Sequence, residues 1–182
     1  MRQNIVMVTF MLLMPARAVC ADIFQDQIAR SFPGFVIMSP YEFELDIQKN
    51  LDTNPAFVIG KFNDDDFEDF AALIRGKDKK RYIDAKGSYD YFELKLVVCH
   101  GLGGKRYTCQ ELLTTVTVPP EFHYLMKHSP GKINCDLPGS KDPDIKTDSI
   151  DWKSSIGWAS ETRYVRYFYQ RGGSYSHCTI DY

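Results

Sequence analysis

The sequence contains no hydrophobic run long enough to cross a membrane as a helix. Its longest run, residues 5–14, falls well short of the roughly twenty residues that a span needs. An excess of basic residues is also absent, since 22 Lys and Arg face 24 Asp and Glu, a formal net charge of −2. This balance does not favour nucleic acid as a partner, because nucleic-acid binding requires a basic surface.

The sequence also lacks the motifs of the common catalytic classes. The four histidines, His100, His123, His128 and His177, form no HExxH pair, and neither CxxC nor GxSxG occurs. The segment that begins at His100 is similar to an esterase oxyanion segment, but no nucleophile elbow accompanies it. We therefore predict that the histidines have structural roles and that the protein is not an enzyme.

The N-terminus has the parts of a secretory signal peptide. Arg2 supplies the positive charge, residues 5–14 supply the apolar run, and small residues follow. Cleavage fits after Ala18 or after Ala21, and the second site is preferred because it removes Cys20 and leaves an even number of cysteines. The interpretation divides the chain into a signal peptide, residues 1–21, and one exported, periplasmic domain, residues 22–182.

The remaining cysteines predict two disulfides, because an even number in an exported protein is typical of bridged pairs. Cys99 and Cys109 flank a Gly-rich turn, so we expect a bridge across it, and Cys135–Cys178 would follow. The alternative for Cys20 is that it is the lipid-modified first residue of a lipoprotein.

The pattern of apolar residues predicts a mainly β protein. A short amphipathic helix is predicted at residues 22–31, and residues 130–148 are predicted to be a loop because Pro and Gly interrupt them. The 23 Tyr and Phe residues favour pleated, half-buried surfaces. The predicted strands are residues 35–38, 56–59, 70–74, 89–98, 106–118, 156–159, 162–170 and 174–181.

A cluster of five carboxylates within residues 64–69 is the most informative feature of the sequence. Calcium loops take oxygen ligands from alternate positions, often including a backbone carbonyl. Asn63, Asp65 and Asp69, with the carbonyl of Phe67, fit such a set, which predicts a structural Ca²⁺ site. Lys61 stands where the first ligand would be. Two alternatives therefore stay open: the Lys61 ammonium neutralises the carboxylates, or the segment is a solvated acidic turn.

This segment resembles the calcium loop of FG-GAP and related repeats. The matching positions are Gly60, Phe62, Asn63, Asp65, Asp69 and Ala71. Lys61 departs from that pattern, and so do Asp64 and Asp66, which replace glycines.

The wider chain resembles small exported bacterial proteins that carry one such loop. The shared features are Phe-Pro-Gly at residues 32–34, Gly-x-Ala-Ser at 157–160, an aromatic strand at 164–169 and Gly-Gly at 172–173. The resemblance implies a curled antiparallel sheet or a β-propeller-like domain. Some such proteins are periplasmic inhibitors of lysozyme-like enzymes, including immunity proteins against cell-wall-degrading effectors.

From this resemblance we expect an inhibitor whose protein partner is a peptidoglycan-degrading enzyme and which occludes the enzyme's active site. The Pro-rich loop at residues 138–148 is the segment that composition favours for insertion into a cleft. The alternative is a calcium-stabilised envelope or adhesion module without inhibitory activity.

Overall fold

Two antiparallel sheets and one long helix form the fold. The computed structural model describes residues 16–43, 45–50, 54–84, 87–117, 123–132, 144–155, 162–170 and 172–180. The helices are α1 (Ala16–Ser31) and α2 (Leu45–Asn50), and Pro40–Glu42 forms a 3-10 turn. The strands are β1 (Phe35–Ile37), β2 (Phe57–Gly60), β3 (Asp69–Gly76), β4 (Lys80–Asp84), β5 (Gly87–Gly101), β6 (Tyr107–Thr117), β7 (His123–His128), β8 (Gly131–Lys132), β9 (Asp144–Ile145), β10 (Ser149–Ser155), β11 (Thr162–Gln170) and β12 (Ser174–Ile180).

The long strand β5 is the centre of the larger sheet. It pairs with β6 along one side and with β3 and β4 along the other, and β3 pairs in turn with β1 and β2. The second sheet has the order β12-β11-β10-β7, and β8 and β9 form a separate short pair. All of these pairs are antiparallel, and the sheets are open in the part of the chain that the structure describes.

The larger sheet is covered on both faces, which explains the unbroken apolar run in β3. Phe70 and Ile74 lie on the face that packs against Ile28 of α1. Leu73 lies on the opposite face, in a core shared with Ile150 of the second sheet. Each of these side chains is essentially fully buried, and burial of one such side chain contributes about 1.5–3 kcal/mol.

The predicted mainly β class with an N-terminal helix is confirmed. β1, β2, β3, β5, β6, β11 and β12 overlap predicted strands. The helix begins at Ala16 rather than at residue 22, so it runs through both predicted cleavage positions. Among the described residues the antiparallel sheets are open and share a core, and a propeller-like arrangement is not shown.

Other details of the prediction were wrong. The predicted loop at residues 130–148 contains β8 and β9, and β4, β7 and β10 were not predicted. One face of β10 is polar, and Asp151 on that face pairs with Arg166. Only two residues of the strand are therefore apolar, too few for its sequence pattern to predict a strand. The pairing of β5 with β6 has a register shift between Leu96 and Val97. The predicted strand at residues 156–159 lies outside the described residues.

Candidate functional site

The carboxylate loop, residues 61–68 between β2 and β3, hydrogen-bonds largely to itself. Asn63 Oδ1 accepts from the Asp65 backbone N–H (3.1 Å), and Asn63 Nδ2 donates to Asp65 Oδ2 (2.8 Å). Asp65 Oδ1 accepts in turn from the Phe67 backbone N–H (2.9 Å). Two successive side-chain turns therefore shape the loop, as Asn and Asp commonly do.

Asp69, the first residue of β3, is fully buried and hydrogen-bonds to the backbone of the carboxylate loop. Its Oδ2 accepts from the Phe62 backbone N–H (2.8 Å), and its Oδ1 accepts from the Gly101 backbone N–H (2.9 Å). His100 Nδ1 lies 3.1 Å from Oδ2. One carboxylate thus joins the carboxylate loop to the end of β5, and hydrogen bonds to its charged form stabilise it there.

His100 links this carboxylate to the second sheet. Gln110 Nε2 lies 3.3 Å from His100 Nε2, and because the amide nitrogen is a donor, the imidazole accepts at Nε2 and donates from Nδ1 to Asp69. The imidazole stacks on Tyr175 of β12, with ring centroids 5.9 Å apart. The Tyr175 hydroxyl donates to the Phe62 carbonyl (2.8 Å), while burial and the nearby Asp69 charge raise the pKa of Tyr175 and keep it protonated.

The glycine loop, residues 102–106 between β5 and β6, packs against the carboxylate loop. A Cβ on Gly103 would lie 3.1 Å from the Phe67 ring, and a Cβ on Gly101 would lie 2.4 Å from the Glu68 carbonyl oxygen. These close approaches are possible because both residues lack a side chain. Phe67 (47 % exposed) and Leu102 (46 % exposed) are left as large apolar side chains in solvent.

A disulfide closes the base of the glycine loop. Cys99 and Cys109 lie directly opposite each other on β5 and β6 and are bonded, as predicted. Cys178 on β12 is buried and also disulfide-bonded. Cys135 lies outside the described residues, so the pairing Cys135–Cys178 stays a prediction.

The predicted calcium ligands do not converge on one point. Asp69 is directed inward to backbone N–H groups, whereas Asn63 and Asp65 bond each other at the surface. No group of three or more His, Cys, Asp or Glu side chains that could hold a metal is found among the described residues. Lys61 Nζ lies 3.5 Å from Asp66 Oδ1, an exposed pair rather than a buried neutralising one. Ca²⁺ binding through the four predicted groups would therefore require the loop to rearrange, and it stays a prediction.

Two cavities lie beside the carboxylate loop. Their volumes are about 760 Å³ and about 290 Å³, and Asp64, Lys146 and Thr147 line both, so they are two parts of one groove. The β9–β10 connection forms the opposite wall and is fastened to the loop. Asp148 N donates to the Lys61 carbonyl (2.8 Å), and Lys61 N donates to Asp148 Oδ2 (3.0 Å).

The other histidines lie away from the loops. His123 is buried and stacks on Trp152, with ring centroids 5.4 Å apart and planes within 9°. Burial lowers the pKa of His123 to about 4. His128 Nε2 lies 2.9 Å from the buried Asp151, and His177 on β12 is exposed.

Sequence reasoning placed Thr147 and Asp148 in the predicted contact loop 138–148 but missed their position beside the carboxylate loop, and it missed Tyr175 as part of this site. Each meets the carboxylate loop only through the fold, with Asp148 87 positions and Tyr175 113 positions from its hydrogen-bond partner. No local motif distinguishes these residues. The sequence feature available for Asp148 was an acidic residue directly before a strand, and many loops have that feature.

Fold and site together define a disulfide-linked, mainly β protein in which the carboxylate loop and the glycine loop lie beside an acidic groove. Hydrogen bonds to Asp69 and the Cys99–Cys109 disulfide hold these loops in place. Comparison with protein-family models, with curated proteins and with solved structures gave no match to this chain. Within the described residues, no helix is both long and apolar enough to span a membrane.

Proposed function

We propose that the chain is an exported periplasmic binding protein that inhibits a cell-wall hydrolase by occluding its active site. The observation that carries this proposal is the loop pair, defined as the carboxylate loop (61–68) and the glycine loop (102–106). It places two large apolar side chains, Phe67 and Leu102, in solvent. Aromatic side chains such as Phe67 are enriched at protein interfaces, and Leu102 beside it adds apolar area.

The loop pair is held in place before any partner arrives. Asp69 bonds the backbone on both sides of the pair, and the Cys99–Cys109 disulfide closes the glycine loop. Binding by a preorganised element avoids the entropic cost of ordering a flexible one. An occluding inhibitor requires this property, because it must fill a cleft without being distorted in it.

Export is supported by the disulfides, which persist in oxidising compartments such as the periplasm. The loop pair also replaces the Pro-rich loop at 138–148 as the proposed contact element. Most of that loop lies outside the described residues, so its insertion into a cleft stays a separate prediction.

The test is inhibition of peptidoglycan lysis by purified protein, residues 22–182, against a panel of glycan-cleaving and peptide-cleaving hydrolases. We expect Phe67→Ala to raise the half-inhibitory concentration by about thirtyfold or more, since hot-spot truncations cost about 2 kcal/mol or more, and Leu102→Ala to raise it less. Tyr41→Ala is the matched control, because Tyr41 is 88 % exposed and lies outside the loop pair.

Two results would contradict the proposal. Unimpaired inhibition by Phe67→Ala would remove the loop pair as the contact element. Failure of the wild-type protein to inhibit any hydrolase of the panel, together with capture of structural envelope proteins alone, would favour a non-inhibitory envelope module.

A further inference from the structure

The groove contains a buried hydroxyl that the free protein leaves unsatisfied. Thr147 is 8 % exposed and lines both cavities of the groove. Its Oγ1 has no hydrogen-bond partner in the part of the chain that the structure describes. Such groups are rare in native proteins because each costs free energy, and a bound group that completes the hydrogen bond is one reason to keep one.

The net charge of the side chains that line the groove is negative, because aspartates outnumber lysines there. Lys146 is paired with Asp144, and Lys61 Nζ lies 3.5 Å from Asp66 Oδ1. Asp64 lines both cavities, yet among the described residues it makes no hydrogen bond or ion pair. Among the described residues, the groove therefore has one exposed carboxylate without a partner and, in its wall, one buried hydroxyl without a partner, while both of its lysines lie beside carboxylates in exposed pairs.

This combination selects a ligand that is cationic and rich in donors. A guanidinium carries five N–H donors in a planar fork, is always charged and has no acceptor of its own. Asp64 is exposed and can accept two of these N–H groups. Thr147 Oγ1 is buried in the groove wall of the free protein and can accept another once its side chain turns towards the groove. A neutral sugar could also donate its hydroxyl groups to these oxygens, but it gains nothing from the negative charge of the groove, whereas a cation does.

We propose that the groove seats an arginine side chain presented by the partner protein. This inference rests on the proposed function in taking the partner to be a protein, and it names the chemistry that the partner must present. Asp64 lies three positions before Phe67 in the same loop. The partner therefore carries an arginine next to the apolar surface that contacts Phe67. Arginine and aromatic side chains are both common in interface hot spots.

The test uses a small probe and needs no identified partner. The peptide acetyl-Gly-Arg-Gly-amide is titrated to millimolar concentration into ¹⁵N-labelled protein, and its citrulline counterpart, which has the same shape without the charge, is titrated in parallel. We expect saturable shifts of the Asp64, Thr147 and Gln170 amides with the arginine peptide and none with the citrulline peptide.

Three variants locate the response. Asp64→Asn is expected to raise the dissociation constant of the arginine peptide about three- to fivefold, the range of a partly exposed charge pair. Asp78→Asn makes the same charge change at an exposed aspartate between β3 and β4 and should leave it unchanged. Thr147→Val should weaken binding and yet raise the melting temperature, because it removes an unsatisfied buried hydroxyl.

Each of the following outcomes would overturn the inference. A lower melting temperature for Thr147→Val would mean that the hydroxyl has a partner in the free protein. Equal effects of Asp64→Asn and Asp78→Asn would reduce the response to general charge attraction. Shifts of the same amides by chitotriose but not by the arginine peptide would make the groove a glycan site. These readouts are independent of lysis, so failure of the inhibition assay alone leaves the groove's selectivity standing.

Discussion

Among the residues that the structure describes, two aspartates are fully buried, and the protein holds them in different ways. Asp69 is held by the backbone N–H groups of Phe62 and Gly101, with His100 beside it. Asp151 faces the guanidinium of Arg166, whose Nη2 lies 2.7 Å from Oδ2. The first aspartate joins two loops at the surface, whereas the second joins neighbouring strands inside the second sheet.

This difference predicts how much free energy of unfolding is lost when each aspartate is removed, because different groups lose their hydrogen-bond or ion-pair partner. Loss of Asp151 removes a carboxylate from a buried cation, and breaking a buried ion pair is among the most costly changes in a protein interior. Loss of Asp69 strands backbone N–H groups, a smaller penalty that falls on the geometry of the loops. The sheet aspartate therefore governs stability, and the loop aspartate governs the shape of the binding surface.

The largest expected effect is that of Asp151→Ala. We expect the free energy of unfolding at pH 7 to fall by about 4 kcal/mol, because Arg166 is left buried without this partner. Urea unfolding followed by fluorescence measures it. The double variant Asp151→Ala/Arg166→Met should recover much of the loss, since it removes both charges. A single variant that costs less than about 1 kcal/mol would refute the buried pair as a determinant of stability.

His123 extends the comparison to a buried ionisable group without a carboxylate. Burial lowers its pKa from 6.5 to about 4, so the unfolded chain binds a proton between these values that the folded protein does not. The His123 contribution is therefore fully present above pH 6.5 and is lost as the pH falls towards 4. The loss amounts to about 3 kcal/mol.

The variant His123→Phe isolates this contribution. It keeps a ring against Trp152 and removes the titrating group. The difference in unfolding free energy between variant and wild type should change by about 3 kcal/mol from pH 7 to pH 4 in favour of the variant. His177→Phe makes the same substitution at an exposed position and serves as the control. Parallel curves for both variants would show that His123 titrates normally in the folded protein.

The substitution Asp69→Asn tests the loop aspartate. The amide keeps one acceptor and turns a donor towards a backbone N–H, so we expect a loss of about 2 kcal/mol. Hydrogen exchange of the Phe62 and Gly101 amides should accelerate more than that of β11. Asp66→Asn is the matched control in the same loop, where full exposure should keep the cost below about 0.5 kcal/mol. Equal costs would mean that Asp69 is not the anchor of the loop pair.

The sequence predicted features that depend on neighbouring residues. Alternation of apolar residues predicted β5 and β6, and two cysteines around a Gly-rich turn predicted their bridge. The burial of Asp69 was beyond such reasoning, because its partner Gly101 is 32 positions away. The carboxylates within residues 64–69 cannot be told apart from the sequence. Only the packing of β3 beneath the glycine loop distinguishes the inward carboxylate of Asp69 from the outward ones.

The smallest expected effect comes from two glycines of the glycine loop. Gly103 and Gly104 both have positive φ, at 77° and 60°, but only at Gly103 would a Cβ meet the Phe67 ring, 3.1 Å away. Alanine at either position should cost about 1 kcal/mol for the left-handed backbone. Gly103→Ala should cost up to about 1 kcal/mol more, because the ring must move aside. Urea midpoints of the two variants give the difference directly. If Gly103→Ala also weakens binding more than Gly104→Ala does, the position of Phe67 matters for function; equal stabilities would show that the ring is not held against this loop.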